Sequence, residues 1–327
     1  MTDNLDTLAQ LTTPATGVDP LITNWQAEHA ALWGNVALLL RHRLHQNLLF
    51  SEAYLADVID RYNRDNHRYL LSHMGPLGSP RQAWKEYRIG AMPGCKLIER
   101  IRHERLWISL HDINKADPAY RRLLDCIFEE IHALVPDLPK TFQRTCAVLI
   151  SSPGAQVYYH FDISGQTLWQ IQGTKKVLIY PATEPFLMQE RLDMVSAFRE
   201  SFHDEATQVY RPWMDEYATD FRGNGDYTLY PGEMVYWPLN APHRIANDDE
   251  LSISFTTEFF TRAIKAHQRA STANGILRRF GMKPRITETG LSYYAKLGLT
   301  AVAKKSGYLD KRQEKPLEPV TLAEAKL

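Results

Sequence analysis

The sequence predicts a mainly β domain with helices before, inside and after it. Three observations carry that prediction. Residues 145–150, 156–161, 167–172 and 176–180 are short, β-rich runs separated by Gly and Pro turns, the pattern of a hairpin-built sheet. The same character returns at 227–230, 234–237 and 251–259. Between the two blocks, residues 182–225 read as a helical insertion that includes MQERLDMVSAFRESF. Residues 226–260 therefore belong with 145–180, and the insertion projects from the sheet they build.

Taken in order, residues 1–20 are rich in Thr, Asp and Pro and lack periodicity, so they read as a flexible arm. The domain proper is expected over 21–261. Residues 24–33 suit a short helix, and 36–44 fit strand or helix equally. Ser51 is an N-cap for a helix through Tyr62, with Leu55, Val58, Ile59 and Tyr62 facing inward. Gly and Pro mark 75–95 as loop with a short element near Trp84, and 106–110 suit a strand. Asp117-Pro118 opens the clearest helix: Asp caps it, and Pro sits where its missing N–H costs nothing. Leu123, Leu124, Ile127, Ile131 and Leu134 then recur at helical spacing up to Pro136. Residues 262–327 form a basic, helical C-terminal region with a frayed end. Its thirteen Lys and Arg through Lys315 face only Glu288, Asp310 and Glu314, which suits a solvated face, an oligomer contact or an acidic partner.

Composition bounds the function classes. The 38 basic and 38 acidic residues balance, so no global field draws the chain to nucleic acid or to a membrane surface. Three distant cysteines, Cys95, Cys126 and Cys146, give no disulfide framework and suit a reducing compartment. The first ten residues are polar and no apolar run is long enough to span a bilayer. A cytoplasmic protein is the expectation.

The chemistry centres on His160-Phe161-Asp162. On a strand, His160 and Asp162 point to one face, which Tyr158 and Gln156 share, while Val157, Tyr159 and Phe161 point into packing. One imidazole and one carboxylate on a common face can bind a metal, given a third ligand from elsewhere. Two His and one carboxylate on one side of an ion is the arrangement of non-haem Fe(II) oxygenases. The remaining histidines have no partner at ligand spacing and read as surface or structural.

The surroundings of the triplet carry a resemblance. Gly154 stands six before His160, Gln166 four after Asp162, and Gly173 seven after Gln166. This resembles the first motif of the cupin superfamily, with Asp162 in place of its second His and Gln166 in place of its acidic ligand. Downstream, Gly232, Pro238, Asn240, His243 and Asn247 resemble the second motif, with Asn240 where the pattern has Gly. The resemblance implies a double-stranded β-helix (cupin or jelly-roll) core and the ligand set His160, Asp162 and His243.

Within the superfamily, that set looks like the JmjC-type 2-oxoglutarate oxygenases, and most like their asparaginyl-hydroxylase-like branch. There a lysine fifteen residues after the first His binds the distal carboxylate of 2-oxoglutarate, which implies that role for Lys175. A strand over 174–180 turns Lys175 and Lys176 to opposite faces, one in and one out. That branch often carries a hydroxyl residue three before the first His and an Asn six after it. This chain has Val157 and Gln166 there, so Tyr158, Gln166, Ser254 and Thr256 are the candidates for further cosubstrate contacts.

The resemblance implies Fe(II) and 2-oxoglutarate as cofactors. It implies hydroxylation of an aliphatic C–H in a peptide, a protein side chain or a small molecule, releasing succinate and CO2. A homodimer is compatible with the helices on both sides. The aromatic insertion is either a packed cover or a substrate lid. Two other readings stay open: a cupin-like protein that binds an effector or peptide without turnover, and a cosubstrate-independent cupin metalloenzyme.

Overall fold

The computed structural model describes residues 19–65, 69–74, 85–88, 92–198, 210–287, 289–309 and 320–321. The expectations for residues 1–18, Trp84, Phe202, His67, His203, Glu288, 310–319 and 322–327 lie outside them.

The N-terminal part supplies helices and edge strands. α1 (Ala27–Leu32) leads into β1 (Leu38–Arg41), which settles the strand-or-helix ambiguity of that stretch. α2 (Glu52–Arg64) is capped by Ser51, whose hydroxyl accepts from the Tyr54 N–H, and it buries Leu55, Val58, Ile59 and Tyr62. β2 (Tyr69–His73) and β3 (Lys85–Arg88) form a hairpin. Within the stretch read as loop, α3 (Gly94–His103) begins at a close helix crossing: a Cβ on Gly94 would meet the Ala56 carbonyl oxygen at 2.2 Å. The glycine that reads as a loop signal is there to let two helices touch.

β4 (Leu106–Leu110) and the short α4 (Ile113–Ala116) precede α5 (Pro118–Leu134). Asp117 caps α5 as expected, accepting from the Ala119 N–H at 2.7 Å. It also accepts from Tyr54 Oη and Arg61 Nη2, each at 2.8 Å, which locks α5 to α2.

The core is two antiparallel sheets packed face to face in the double-stranded β-helix arrangement. Its strands are β5 (Phe142–Ser151), β6 (Gln156–His160), β7 (Gly165–Gln172), β8 (Lys175–Ile179), β9 (Thr228–Leu229), β10 (Glu233–Trp237), β11 (His243–Asn247) and β12 (Ser252–Phe260). The large sheet runs β1-β10-β7-β12-β5-β4-β2-β3-β13, where β13 (Val320–Thr321) joins in parallel. The small sheet runs β6-β11-β8-β9. Leu168, Val235 and Trp237 of the large sheet meet Val177, Ile179 and Leu229 of the small one, closing an apolar interior. The other face of the large sheet packs against α2, α3 and α5 through Phe255, Ile253, Val148 and Ile150. The β7–β8 turn depends on Gly173: its φ is +69°, and a Cβ there would come within 2.5 Å of the Leu251 carbonyl oxygen.

The insertion holds α6 (Gln189–Phe198) and a 3-10 turn at Pro212–Tyr217. Phe186, Met214 and Ala218 pack with Tyr159, Leu178 and Tyr180 on the outer face of the small sheet, and Leu187, Leu192 and Val195 pack on Phe161. α7 (Arg262–Arg279) follows β12 and lies against α6, with α8 (Gly290–Lys305) against α7. No described helix is long and apolar enough to cross a membrane.

Asp117 → Ala removes a helix cap and leaves Arg61 and the Tyr54 hydroxyl without their shared acceptor. We expect a loss of about 2–4 kcal/mol, read as a lower urea midpoint at unchanged slope.

Candidate metal centre

The site is built where β6 ends and β11 begins. His243 sits opposite His160 in the β6–β11 ladder. The turn after β6 then brings Asp162 beneath both rings. Ligand atoms of His160, Asp162 and His243 lie within 4.8 Å of one another, the only such group of three or more His, Cys, Asp or Glu among the described residues. His243 Nε2 is 3.5 Å from Asp162 Oδ2, and the two imidazole centroids are 4.1 Å apart.

Backbone carbonyls set the tautomers. His160 Nδ1 lies 2.7 Å from the Tyr158 oxygen and His243 Nδ1 lies 3.0 Å from the Ala241 oxygen. Each Nδ1 therefore carries the proton it donates, and each Nε2 turns its lone pair to the centre. Two imidazoles so oriented beside one carboxylate fit a divalent ion with open positions opposite.

Asp162 is held from three sides. The Gln166 amide, oriented by its neighbours, donates to Oδ1 at 3.1 Å and to Oδ2 as well. The Trp237 indole lies beside the same carboxylate and favours its charged form, and its ring lies 4.4 Å from the His243 ring. Asn240 Nδ2 donates to the Asp162 backbone oxygen at 2.6 Å. Asn240 has φ +63°, so it adopts the left-handed turn for which the motif has Gly and adds a hydrogen bond that Gly lacks. Burial pushes the Asp162 carboxyl above its usual range, against the pull of His160 and Trp237. A bound cation would reverse that shift.

Lys175 opens β8. The β8–β11 register sets Ile179 opposite His243, Val177 opposite Ile245 and Lys175 opposite Asn247. Directly opposed residues share a face, so Lys175 faces the same interior as His243, about 13 Å along the strand at ~3.3 Å per residue. It is 3% exposed, whereas Lys176 is exposed. Among the described residues no carboxylate or other acceptor meets its ammonium, and burial lowers its pKa from 10.5 to about 7.

The other candidates have defined neighbours. Gln166 is committed to Asp162. Ser254 donates to Gln170 Oε1 at 2.7 Å, and Gln170 Nε2 donates to the Gln172 and Gly173 oxygens. Thr256, opposite Leu168, is buried in the interior. Tyr158 packs on Met74, Ala155 and Trp107.

Two facings differ from the sequence reading: Gln156 pairs with Ala246, which stands opposite the exposed Lys176, and so turns away from the His160 face. Val157 pairs with Ile245 and so shares the interior face, because the β6–β11 register shifts between His243 and Ile245. Tyr159 and Phe161 pack outward as expected. Sequence reasoning missed Trp237, whose only signal was its place just before the motif's Pro238. Among the other histidines, His42 is buried, hydrogen-bonded to the Glu233 oxygen and the Leu44 N–H, and pushed down to about 3 by burial.

Comparisons with known proteins find similarity in structure and not in sequence. No protein-family profile matches the sequence, and no curated protein matches it. Among solved structures the chain is similar to E. coli YcfD, at 13% identity over 87% of this chain and 68% of that one, with a TM-score of 0.48. It is similar to the same ribosomal oxygenase from Escherichia coli in complex with cobalt and 2-oxoglutarate, at 13% identity, 88% and 68% coverage and TM-score 0.48. An RmlC-like cupin from Shewanella frigidimarina matches 36% of this chain over 68% of its own, at 13% identity and TM-score 0.21. The fold rests on the sheet order described above and the chemistry on the residues themselves, and neither on these likenesses.

Two outcomes follow from the geometry. Trp237→Phe keeps an aromatic ring on His243 and removes the polar indole N–H that favours the charged Asp162 carboxylate. It should weaken Co(II) binding about 10- to 100-fold, read from the visible bands of the Co(II) protein. Lys175 binds a proton up to ~10.4 when unfolded and only to about 7 when folded. The unfolded state therefore holds more protons between those values, and stability rises with pH across that window. Lys175→Met should stabilise the protein at pH 6 and flatten that rise, as measured by denaturant midpoints at pH 6, 8 and 10.

Proposed function

We propose that the chain is an Fe(II)- and 2-oxoglutarate-dependent hydroxylase of JmjC type, of the asparaginyl-hydroxylase-like branch, acting on an aliphatic C–H of a peptide, a protein side chain or a small molecule. One observation carries the reading: a His-Asp-His group and a buried, unpartnered lysine face the same barrel interior from one strand ladder. A buried ammonium without a counter-charge is costly, and a dicarboxylate that reaches from the metal to Lys175 removes that cost.

His160, Asp162 and His243 would hold iron, which with 2-oxoglutarate and O2 supplies the oxidising chemistry. The chain's own residues do the rest. Lys175, charged once an anion is present, would grip the far carboxylate through charge-assisted hydrogen bonds. Gln166 and Trp237 fix which way the Asp162 carboxylate points, and the apolar wall of Val177, Ile179, Leu168 and Val235 keeps water from the cosubstrate. Position relative to the metal then selects which C–H reacts.

The same lysine argues against a cosubstrate-independent cupin enzyme, which has no use for an inward cation there. The remaining alternative is a protein that binds metal and dicarboxylate without turnover.

The test is formation of succinate and labelled CO2 from 2-oxoglutarate with Fe(II) and candidate substrates. We expect turnover that Asp162→Ala abolishes at an unchanged circular-dichroism melt. Lys175→Ala should raise the 2-oxoglutarate KM about 100-fold, the loss of ~2.5–3 kcal/mol of charged hydrogen bonding. Binding of metal and 2-oxoglutarate without succinate would favour the non-catalytic reading, and an unchanged KM would remove Lys175 from the cosubstrate site.

A further inference from the structure

The metal-bearing end of the barrel carries an uncompensated basic rim. Gln166, against Asp162, pairs with Glu258 of β12, which pairs with Thr145 of β5; the ladder then continues to Phe142 opposite Phe260. Just beyond it lies a cleft of about 540 Å³ lined by Pro139, Lys140, Phe142 and Arg262. Arg262 opens α7, and Lys265 and Arg269 follow one and two turns on, a stripe of about 10 Å at 1.5 Å per residue. Lys304 of α8 is near enough for its charge to act on Lys265. Lys265 Nζ stands 3.4 Å over the Phe260 ring and hydrogen-bonds Gln268.

Among the described residues, none of Lys140, Arg262, Lys265, Arg269 and Lys304 has an ion-pair partner, although the chain as a whole is charge-balanced. Several other described Arg residues, by contrast, are paired, as Arg61, Arg102, Arg222, Arg244 and Arg278 are. Like charges gathered without counter-charges repel one another, and an anionic partner relieves that repulsion.

We propose that this rim docks an acidic peptide segment, the flank of a polypeptide substrate whose neighbouring residue enters the metal site; the identification as a substrate flank rests on the function proposed above. The stripe has the length of about three extended residues at ~3.3 Å each. The cleft adds an apolar wall, Phe142 and Pro139, for a side chain between the acids. A nucleic acid fits less well: the balanced overall charge provides no long-range attraction, and the patch is short.

The probe is a fluorescein-labelled octapeptide of alternating Asp and Glu, titrated by anisotropy into the metal-free full chain. Binding should weaken about tenfold between 50 and 300 mM salt. It should weaken at least tenfold in Lys140→Glu/Arg262→Glu and again in Lys265→Gln/Arg269→Gln, both with unchanged melting curves. Absence of binding, salt-independent binding, binding by both variants as tight as by the unaltered chain, or tighter binding of a single-stranded RNA octamer would overturn the proposal. The readout needs no iron, so it stands apart from the hydroxylase test. Normal succinate formation without peptide binding sinks the docking surface alone.

Discussion

β11 sits between β6 and β8 and sets the register of both. His243 at its start faces His160 on one side and Ile179 on the other, and Asn247 at its end faces Lys175. Because side chains alternate along a strand, a slip of one residue would turn His243 outward and Arg244 inward. The outer face opposes that slip. Arg244 donates to Asp215 Oδ2 at 2.5 Å and to the Tyr180 hydroxyl at 2.9 Å, and Tyr180 donates to Asp215 Oδ1 at 2.6 Å. Asp215 belongs to the insertion, so the helical cover is fastened to the sheet by the residue next to His243.

The interior that this register creates is polar at both ends and apolar between them. At one end lie the two imidazoles and the carboxylate, and at the other Lys175 near Asn247, Ser151 and the Gln170–Ser254 pair. Asn247, Ser151, Gln170 and Ser254 satisfy one another or the backbone at the lysine end, whereas the ammonium meets no acceptor among the described residues. Its burial costs stability while it is charged, which lowers its pKa to about 7. An arriving dianion would bring the proton back with it. In the function proposed above, binding and protonation would in this sense be one event.

Much of this was legible in the sequence because it depends on short-range rules. Alternation put Lys175 and Lys176 on opposite faces; Asp162 joins His160 as the motif implied, but from the turn after β6 rather than along a strand. Asp117-Pro118 announced its helix, and the motif position of Asn240 foretold a left-handed turn. What was not legible depends on pairing between distant strands. The facing of Val157 follows from a register shift that exists only once β11 is alongside. Trp237 and Gln166 converge on Asp162 because β10 and β7 are neighbours, with Trp237 directly opposite Gln166; the motif suggested only a cosubstrate contact for Gln166. α3 was hidden because Gly94 looks like a loop residue until Ala56 is seen against it.

The shared register makes a geometric claim that one experiment reads directly: an anaerobic crystal structure with Mn(II) and 2-oxoglutarate. The account predicts metal bonded to His160 Nε2, Asp162 and His243 Nε2, with the far carboxylate of the cosubstrate on Lys175 Nζ. A map with the metal elsewhere, or with the dicarboxylate bound and Lys175 still without an acceptor, would contradict it.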